Sequence, residues 1–320
     1  MLGVVTTMRA VQVSGFGGPE MLRVEEVPVP VAGPGQVVVG VVVADTLFLE
    51  TQLRSGWGTE YFGLAPPYTP GTGVAGRVLS TGEGVDPGWV GKEVVAGVDG
   101  GGYAEQALAP IEGVVELPAG LDMQTAAGLL QIGPAAFSLV DAAKLRHGDR
   151  VLVTAAAGGL GTLLVQLAKA AGAHVTAAAR GAEKLRLAEE LGADTVVDYS
   201  TEDWTNGIEA DVVFDGVGGE IGRAAFGTVT RHFFAHGIPS GGFAAVDPAE
   251  AERRGVELTG IEQVQFTRES LADLVERTLA EAVAGRLKPV VGRTFPLARA
   301  ADAHATMERR TVLGKTLLLV

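Results

Sequence analysis

The chain has 320 residues, enough for two domains, with 47% hydrophobic and 20% charged side chains and a formal net charge of −13 at pH 7. That charge argues against nucleic acid and anionic membrane as partners, because both are polyanions. The absence of cysteine excludes disulfides, thiol catalysis and cysteine-based metal sites.

Met1–Thr7 lacks the positive start and long apolar core of a signal peptide. No window holds the roughly 18 apolar residues needed to span a bilayer, so a soluble cytoplasmic protein is expected. The first third reads as β-rich. Met8–Val13, Met21–Val27, Gln36–Val43, Gly73–Ser80 and Lys92–Val98 are apolar runs divided by turns such as Gly17-Gly18-Pro19 and Gly33-Pro34-Gly35. Leu47–Tyr68 reads as a long loop carrying Phe48, Trp57, Tyr61, Phe62 and Tyr68. Around Leu121 the texture changes. Helical segments Asp122–Leu130 and Ala135–Ala143 lead into alternating strands and helices, with strands at Val151–Thr154, His174–Ala178, Thr195–Asp198 and Asp211–Asp215. That alternation predicts a doubly wound parallel sheet, and hence an α/β chain. Near the end, helices Leu271–Ala284 and Ala298–Arg309 alternate with strands Val290–Pro296 and Lys315–Val320, expected to return to the first domain. The expected domains are 1–121 with 262–320, and 122–261.

The most informative stretch follows Val151-Leu152-Val153-Thr154. A small-residue turn, Ala155-Ala156-Ala157-Gly158-Gly159-Leu160-Gly161, opens the helix Thr162–Ala171, and the strand His174–Ala178 comes next. Strand, turn and helix together describe a cradle for a pyrophosphate, in which glycines admit close approach and the helix offers its positive end. The motif reads AxGxxG, with Ala156 at the first glycine position, which requires a negative φ there. Ala156, Gly158, Gly159, Leu160 and Gly161 are therefore candidate cofactor contacts. Where an NAD site places a carboxylate after the second strand, this chain has Arg180, with Lys184 one helical turn on. Two cations there suit the 2′-phosphate of NADPH, and at a helix start they otherwise oppose the dipole.

These motifs, together with others along the chain, resemble the medium-chain dehydrogenase/reductase superfamily in its zinc-free quinone oxidoreductase and enoyl reductase-like branch. The others are Gly40…Ala44-Asp45-Thr46, Gly71-Thr72-Gly73-Val74-Ala75-Gly76, Gly101-Gly102-Tyr103-Ala104-Glu105, Leu191-Gly192-Ala193-Asp194, Val197-Asp198-Tyr199, Phe214-Asp215-Gly216-Val217-Gly218-Gly219 and Gly314-Lys315. The resemblance implies a GroES-like β-rich substrate domain and a Rossmann domain with the nicotinamide in the cleft between them. It also implies reduction of a small apolar conjugated carbonyl compound (a quinone, enone or enoyl thioester) by direct hydride transfer from NADPH, and a homodimer. Tyr199 falls where this branch often sets a tyrosine against the 2′-phosphate. Val217 and Gly218 are expected to line the nicotinamide, and Ile238 is a further candidate cofactor contact.

Tyr61 is the candidate proton donor and Asp45 a second one, with capping of the following helix as the competing role for Asp45. Asp215, at the carboxyl end of its strand, reads as structural. No metal is expected: His232 and His236 are four apart, but Arg231–Gly237 reads as a strand. Val42 and Ala135 stand where the family often has asparagine and threonine. They keep open a second reading, a non-redox cyclase or lyase, or a protein that holds NADPH without turnover.

Overall fold

The computed structural model describes residues 6–320; residues 1–5, part of the Met1–Thr7 stretch weighed above as a leader, lie outside the described residues. The strands in chain order are β1 (Thr7–Val13), β2 (Leu22–Pro28), β3 (Gln36–Asp45), β4 (Gly73–Thr81), β5 (Glu93–Gly97), β6 (Gln106–Pro110), β7 (Val114–Glu116), β8 (Arg150–Thr154), β9 (His174–Ala179), β10 (Thr195–Asp198), β11 (Ala210–Asp215), β12 (Val229–Ala235), β13 (Glu257–Thr259), β14 (Val291–Pro296) and β15 (Lys315–Leu319). The α-helices are α1 (Phe48–Ser55), α2 (Thr59–Phe62), α3 (Met123–Leu130), α4 (Ile132–Ala143), α5 (Gly159–Ala170), α6 (Ala182–Glu190), α7 (Gly219–Thr228), α8 (Pro248–Arg254), α9 (Arg268–Val283) and α10 (Ala300–Glu308).

Two compact units result. One takes the chain up to Gln131 with Thr267–Arg286 and Val291–Val320; the other takes Ile132–Phe266 with Leu287–Val290. In the first unit the main sheet has the order β14-β15-β3-β4-β5-β7, with β6 also on β3, and β1-β2 form a separate antiparallel pair. β3 reads QVVVGVVVAD, apolar and β-branched on both faces, which suits a central strand. Its two faces feed different cores. Val37, Val39 and Val41 pack with Val74, Val94 and Tyr103 on one face; Val43 packs with Ala75, Val95, Leu279 and Leu317 on the other. A Cβ on Gly76 would stand 2.0 Å from the Gly40 carbonyl oxygen, so only glycine lets β4 lie this close to β3.

The second unit is a six-stranded sheet in the order β10-β9-β8-β11-β12-β13, parallel throughout. β8 and β11, buried on both sides, meet at its centre. The chain winds outward from β8 through β9 and β10, then restarts at β11 and winds the other way. That reversal leaves a crevice outside the carboxyl ends of β8 and β11, where doubly wound sheets bind ligands. α5 lies against β8 and β9 and buries Leu163, Leu164, Val165 and Ala168.

The structure moves three expectations. The first unit continues to Gln131 and not to 121, because Ala126, Ala127 and Leu130 of α3 insert into the core around Val43, Val95 and Leu317. The return falls at Thr267 and not at 262, and Leu287–Val290 stays with the second unit, where Gln166 bonds both the carbonyl and the amide of Lys288. Leu47–Tyr68 is not a loop but holds α1 and α2, and Tyr68 packs onto the first unit's core. Among the described residues no single helix is long and apolar enough to cross a membrane.

Candidate functional site

The cradle forms where β8 ends. Ala155 takes the left-handed conformation with φ +51, an uncommon state for a residue with a Cβ, and thereby turns the chain. Its carbonyl accepts the Gly158 N–H at 2.8 Å. A Cβ on Gly161 would lie 2.3 Å from that same oxygen, so the first turn of α5 closes over it only with glycine. Ala156 keeps a negative φ, and its N–H donates to the Ala178 carbonyl on β9 at 3.2 Å. The left-handed residue is one position earlier than the motif's first glycine, which is how alanine fits there. Gly158 is the N-cap of α5 and supplies no capping side chain. The first turn of a twelve-residue helix thus faces the rim with its dipole uncapped, which fits a pyrophosphate.

Arg180 follows β9 directly and is exposed, with its guanidinium carbon 6.0 Å from the centre of the Tyr199 ring. Tyr199 in turn stands edge-on to Trp204 at 6.3 Å, which anchors the ring to the sheet's core. Lys184 lies in the first turn of α6, half-buried. Arg180 and Tyr199 are therefore together, with Lys184 one helical turn on. Sequence reading missed a carboxylate nearby: Asp198 accepts N–H groups of Gly181 and Ser200, both at 2.9 Å. The Ser200 hydroxyl and these amides, with Arg180 close by, hold the Asp198 carboxyl below its usual range.

Across the crevice, Asp215 organises the ends of β8 and β11. The Thr154 hydroxyl donates to its Oδ1 at 2.7 Å, and the N–H groups of Val217 and Gly218 donate to the same carboxylate at 3.1 Å each. Burial pushes the Asp215 carboxyl up, while these donors pull against it. Its role is to fold the rim, as read from its position. Gly218 has φ +74, and a Cβ there would sit 2.1 Å from the Gly242 carbonyl oxygen. Ser240 donates its hydroxyl to the Val217 carbonyl at 2.8 Å, and Gly241 donates to Ile238 at 2.9 Å. Val217, Gly218 and Ile238 thus share one rim, beside β11 and β12. His232 is engaged with Thr259 at 2.7 Å, and the described residues contain no group of three or more side chains able to hold a metal.

The two candidate catalytic residues do not converge. Tyr61 is 82% exposed on the single turn of α2. Asp45 is buried at the end of β3, ion-paired with the Lys315 ammonium at 2.6 Å, and takes the Thr46 N–H at 2.8 Å. It caps no helix either: the N-cap of α1 is Leu47, whose N–H donates to Glu50 at 3.0 Å. The reason is that Lys315 of β15 also donates to the Thr46 carbonyl at 2.7 Å, tying this junction to the last strand. Asp45 is therefore a structural ion pair. Val42 is exposed on β3.

Around this pair lies a buried polar cluster that sequence reading missed. The Tyr103 hydroxyl donates to Glu50 at 2.6 Å and is 3.1 Å from His304 Nε2; Arg54, 1% exposed, pairs with Glu308. Burial raises the Glu50 carboxyl to about 7 from 4.5. The folded protein therefore keeps this proton up to about pH 7, whereas the unfolded chain releases it near 4.5. Stability from this group is full below 4.5 and is lost as pH rises to about 7, by on the order of 3 kcal/mol. Urea unfolding of wild type and Glu50→Gln across pH 4.5–7.5 should give a difference that shifts by this amount in favour of the variant; a constant difference would refute it.

Residues 33–119 match the alcohol dehydrogenase GroES-like domain, and residues 191–318 the zinc-binding dehydrogenase domain. The chain is 30% identical to a quinone oxidoreductase of Sus scrofa over 324 residues, 98% of each chain. It is 33% identical to a 2-haloacrylate reductase of a Burkholderia species over 327 residues, 95% of this chain and 96% of the relative. Among solved structures, a mycobacterial protein complexed with NADPH superposes with TM-score 0.90 at 30% identity, covering 98% of this chain and all of that one. The Escherichia coli quinone oxidoreductase complexed with NADPH gives 0.89 at 26% identity over the same shares.

Proposed function

Because the chain belongs to the medium-chain dehydrogenase/reductase superfamily, in its zinc-free quinone oxidoreductase branch, we propose that it is an NADPH-dependent reductase of a small conjugated carbonyl compound. The observation that carries this reading is the pairing of the phosphate cradle with Arg180 and Tyr199 along one sheet edge. NADPH, when bound, supplies the hydride. Ala156 and Gly158–Gly161 would take its pyrophosphate through the amide end of α5. Arg180, Lys184 and Tyr199 would take the 2′-phosphate, and Val217, Gly218 and Ile238 the other end of the dinucleotide.

The protein's contribution is orientation and the exclusion of water. Quinones, enones and enoyl thioesters share an electron-poor carbon conjugated to a carbonyl, and the named relatives reduce or oxidise substrates of that kind by name: quinones and a haloacrylate. Both of these relatives are oxidoreductases by name, which favours the redox reading over the non-redox one. The family resemblance favours a homodimer. Tyr61, 82% exposed, can donate a proton only where substrate covers its ring. The test is NADPH oxidation followed by absorbance with a benzoquinone and with a simple enone. Turnover with NADPH at least about tenfold faster than with NADH is expected; binding without oxidation by any such acceptor would overturn the redox reading.

A further inference from the structure

We propose that His236 contacts the cofactor, its Nε2 forming a hydrogen bond with the nicotinamide end of bound NADPH. The proposal rests on the reading above. Arg180 and Tyr199 follow β9 and β10, the cradle follows β8, and Val217, Gly218 and Ile238 lie beyond β11 and β12, in the sheet order β10-β9-β8-β11-β12-β13. A dinucleotide with its pyrophosphate on the cradle and its adenosine phosphate at Arg180 extends its other half over the ends of β11 and β12.

His236 is the first residue past β12, on that half. The N–H groups of His236 and Gly237 both donate to the Asp215 carbonyl, at 3.0 and 3.1 Å, which pins the histidine beside the end of β11. A Cβ on Gly216 would lie 3.2 Å from the imidazole Cε1 and 3.3 Å from the Cβ of Ala155. The ring, Gly216 and the cradle's turning residue therefore converge on one place, at the crevice where the winding reverses. No side chain from the neighbouring position can occupy it, because a Cβ on Gly237 would be 2.1 Å from the Gly216 backbone.

The ring's Nε2 is buried and has no hydrogen-bond partner among the described residues. A buried polar atom left unpaired is costly, and where it sits at a ligand crevice the ligand is its natural partner. Within the second unit it is the one such side-chain atom among the described residues; the others belong to the first unit's polar cluster. His232, four residues earlier on β12, shows what a structural histidine looks like here: its Nε2 bonds Thr259 and its ring stacks on Phe234 at 3.9 Å. Burial alone lowers the His236 pKa to about 4, with no charged group contributing. The imidazole is thus neutral at physiological pH and offers one donor and one acceptor nitrogen. Its fitting partner is a neutral polar group such as a carboxamide or a sugar hydroxyl, which pairs with either tautomer.

Two variants and two probes test this. His236→Phe keeps a ring and removes both nitrogens; His236→Gln keeps a donor and an acceptor. Calorimetry with NADPH and with adenosine 2′,5′-bisphosphate, which lacks the nicotinamide half, separates the two ends of the site. His236→Phe should bind NADPH about five- to tenfold more weakly, bind the bisphosphate within about twofold of wild type, and show a smaller emission shift of the bound reduced nicotinamide. His236→Gln should recover most of both effects. Unchanged NADPH affinity and emission in His236→Phe would overturn the proposal, as would equal losses for both probes, which would assign His236 to the fold of the sheet edge. Wild type binding neither probe would instead overturn the cofactor reading itself.

Discussion

Replacing Arg180 with alanine is expected to weaken NADPH binding by about 30-fold while leaving NADH within about twofold, as read by parallel titrations. A charge-assisted hydrogen bond to a phosphate is worth roughly 1.5–3 kcal/mol, and a guanidinium makes two in parallel. The expectation rests on Arg180 following β9 directly and on the Tyr199 ring 6.0 Å from its guanidinium carbon. The neighbouring Asp198 is committed to the amides of Gly181 and Ser200, so it organises the turn and does not replace the arginine. Lys184→Ala should produce a smaller loss, since an ammonium acts as a point charge without the fork. Equal losses for NADPH and NADH in Arg180→Ala would show that the arginine supports the sheet edge and not the phosphate.

The second large effect is on stability. Lys315→Met should cost about 3–5 kcal/mol, because it leaves the Asp45 carboxylate buried and uncompensated beside β15. A fall of about 10 °C in the first unit's melting temperature is the corresponding expectation. Asp45→Asn combined with Lys315→Met should recover a substantial part, since a buried ion pair contributes less than breaking it costs. If the double variant is no more stable than the single one, the charge of Asp45 is not what destabilises the single variant. NADPH affinity should be untouched in all of them.

The cradle was readable because each of its parts has a local cause: the apolar strand, the small turn and the amphipathic helix sit in consecutive residues. That the sheet is parallel and doubly wound followed from the alternation of strands and helices; its strand order comes from the structure. α1 was not readable, because Leu47 occupies its N-cap where serine, threonine or aspartate would announce a helix, and only the Glu50 side chain satisfies that end. The boundary near Gln131 was not readable either. α3 shows an apolar face, but its residues do not say which of two sheets will receive it. Asp45 and His236 mark the same limit in side chains. The partner of Asp45 comes from the far end of the chain, and an unpaired His236 nitrogen is a property of packing, not of spacing.

The position of β15 between β14 and β3 has a consequence for how the chain is made. Synthesis is vectorial, and domains fold as units while it proceeds. The second unit, nearly contiguous in sequence, has all its strands out before Val291 emerges. The first unit began earlier yet finishes later: the Val43–Asp45 edge of β3 waits for Leu317–Leu319, and Asp45 waits for its lysine. A message cut short ahead of the last strand would therefore release a finished nucleotide-binding unit joined to an unclosed sheet. Its open edge and its unneutralised carboxylate are features that quality control can recognise.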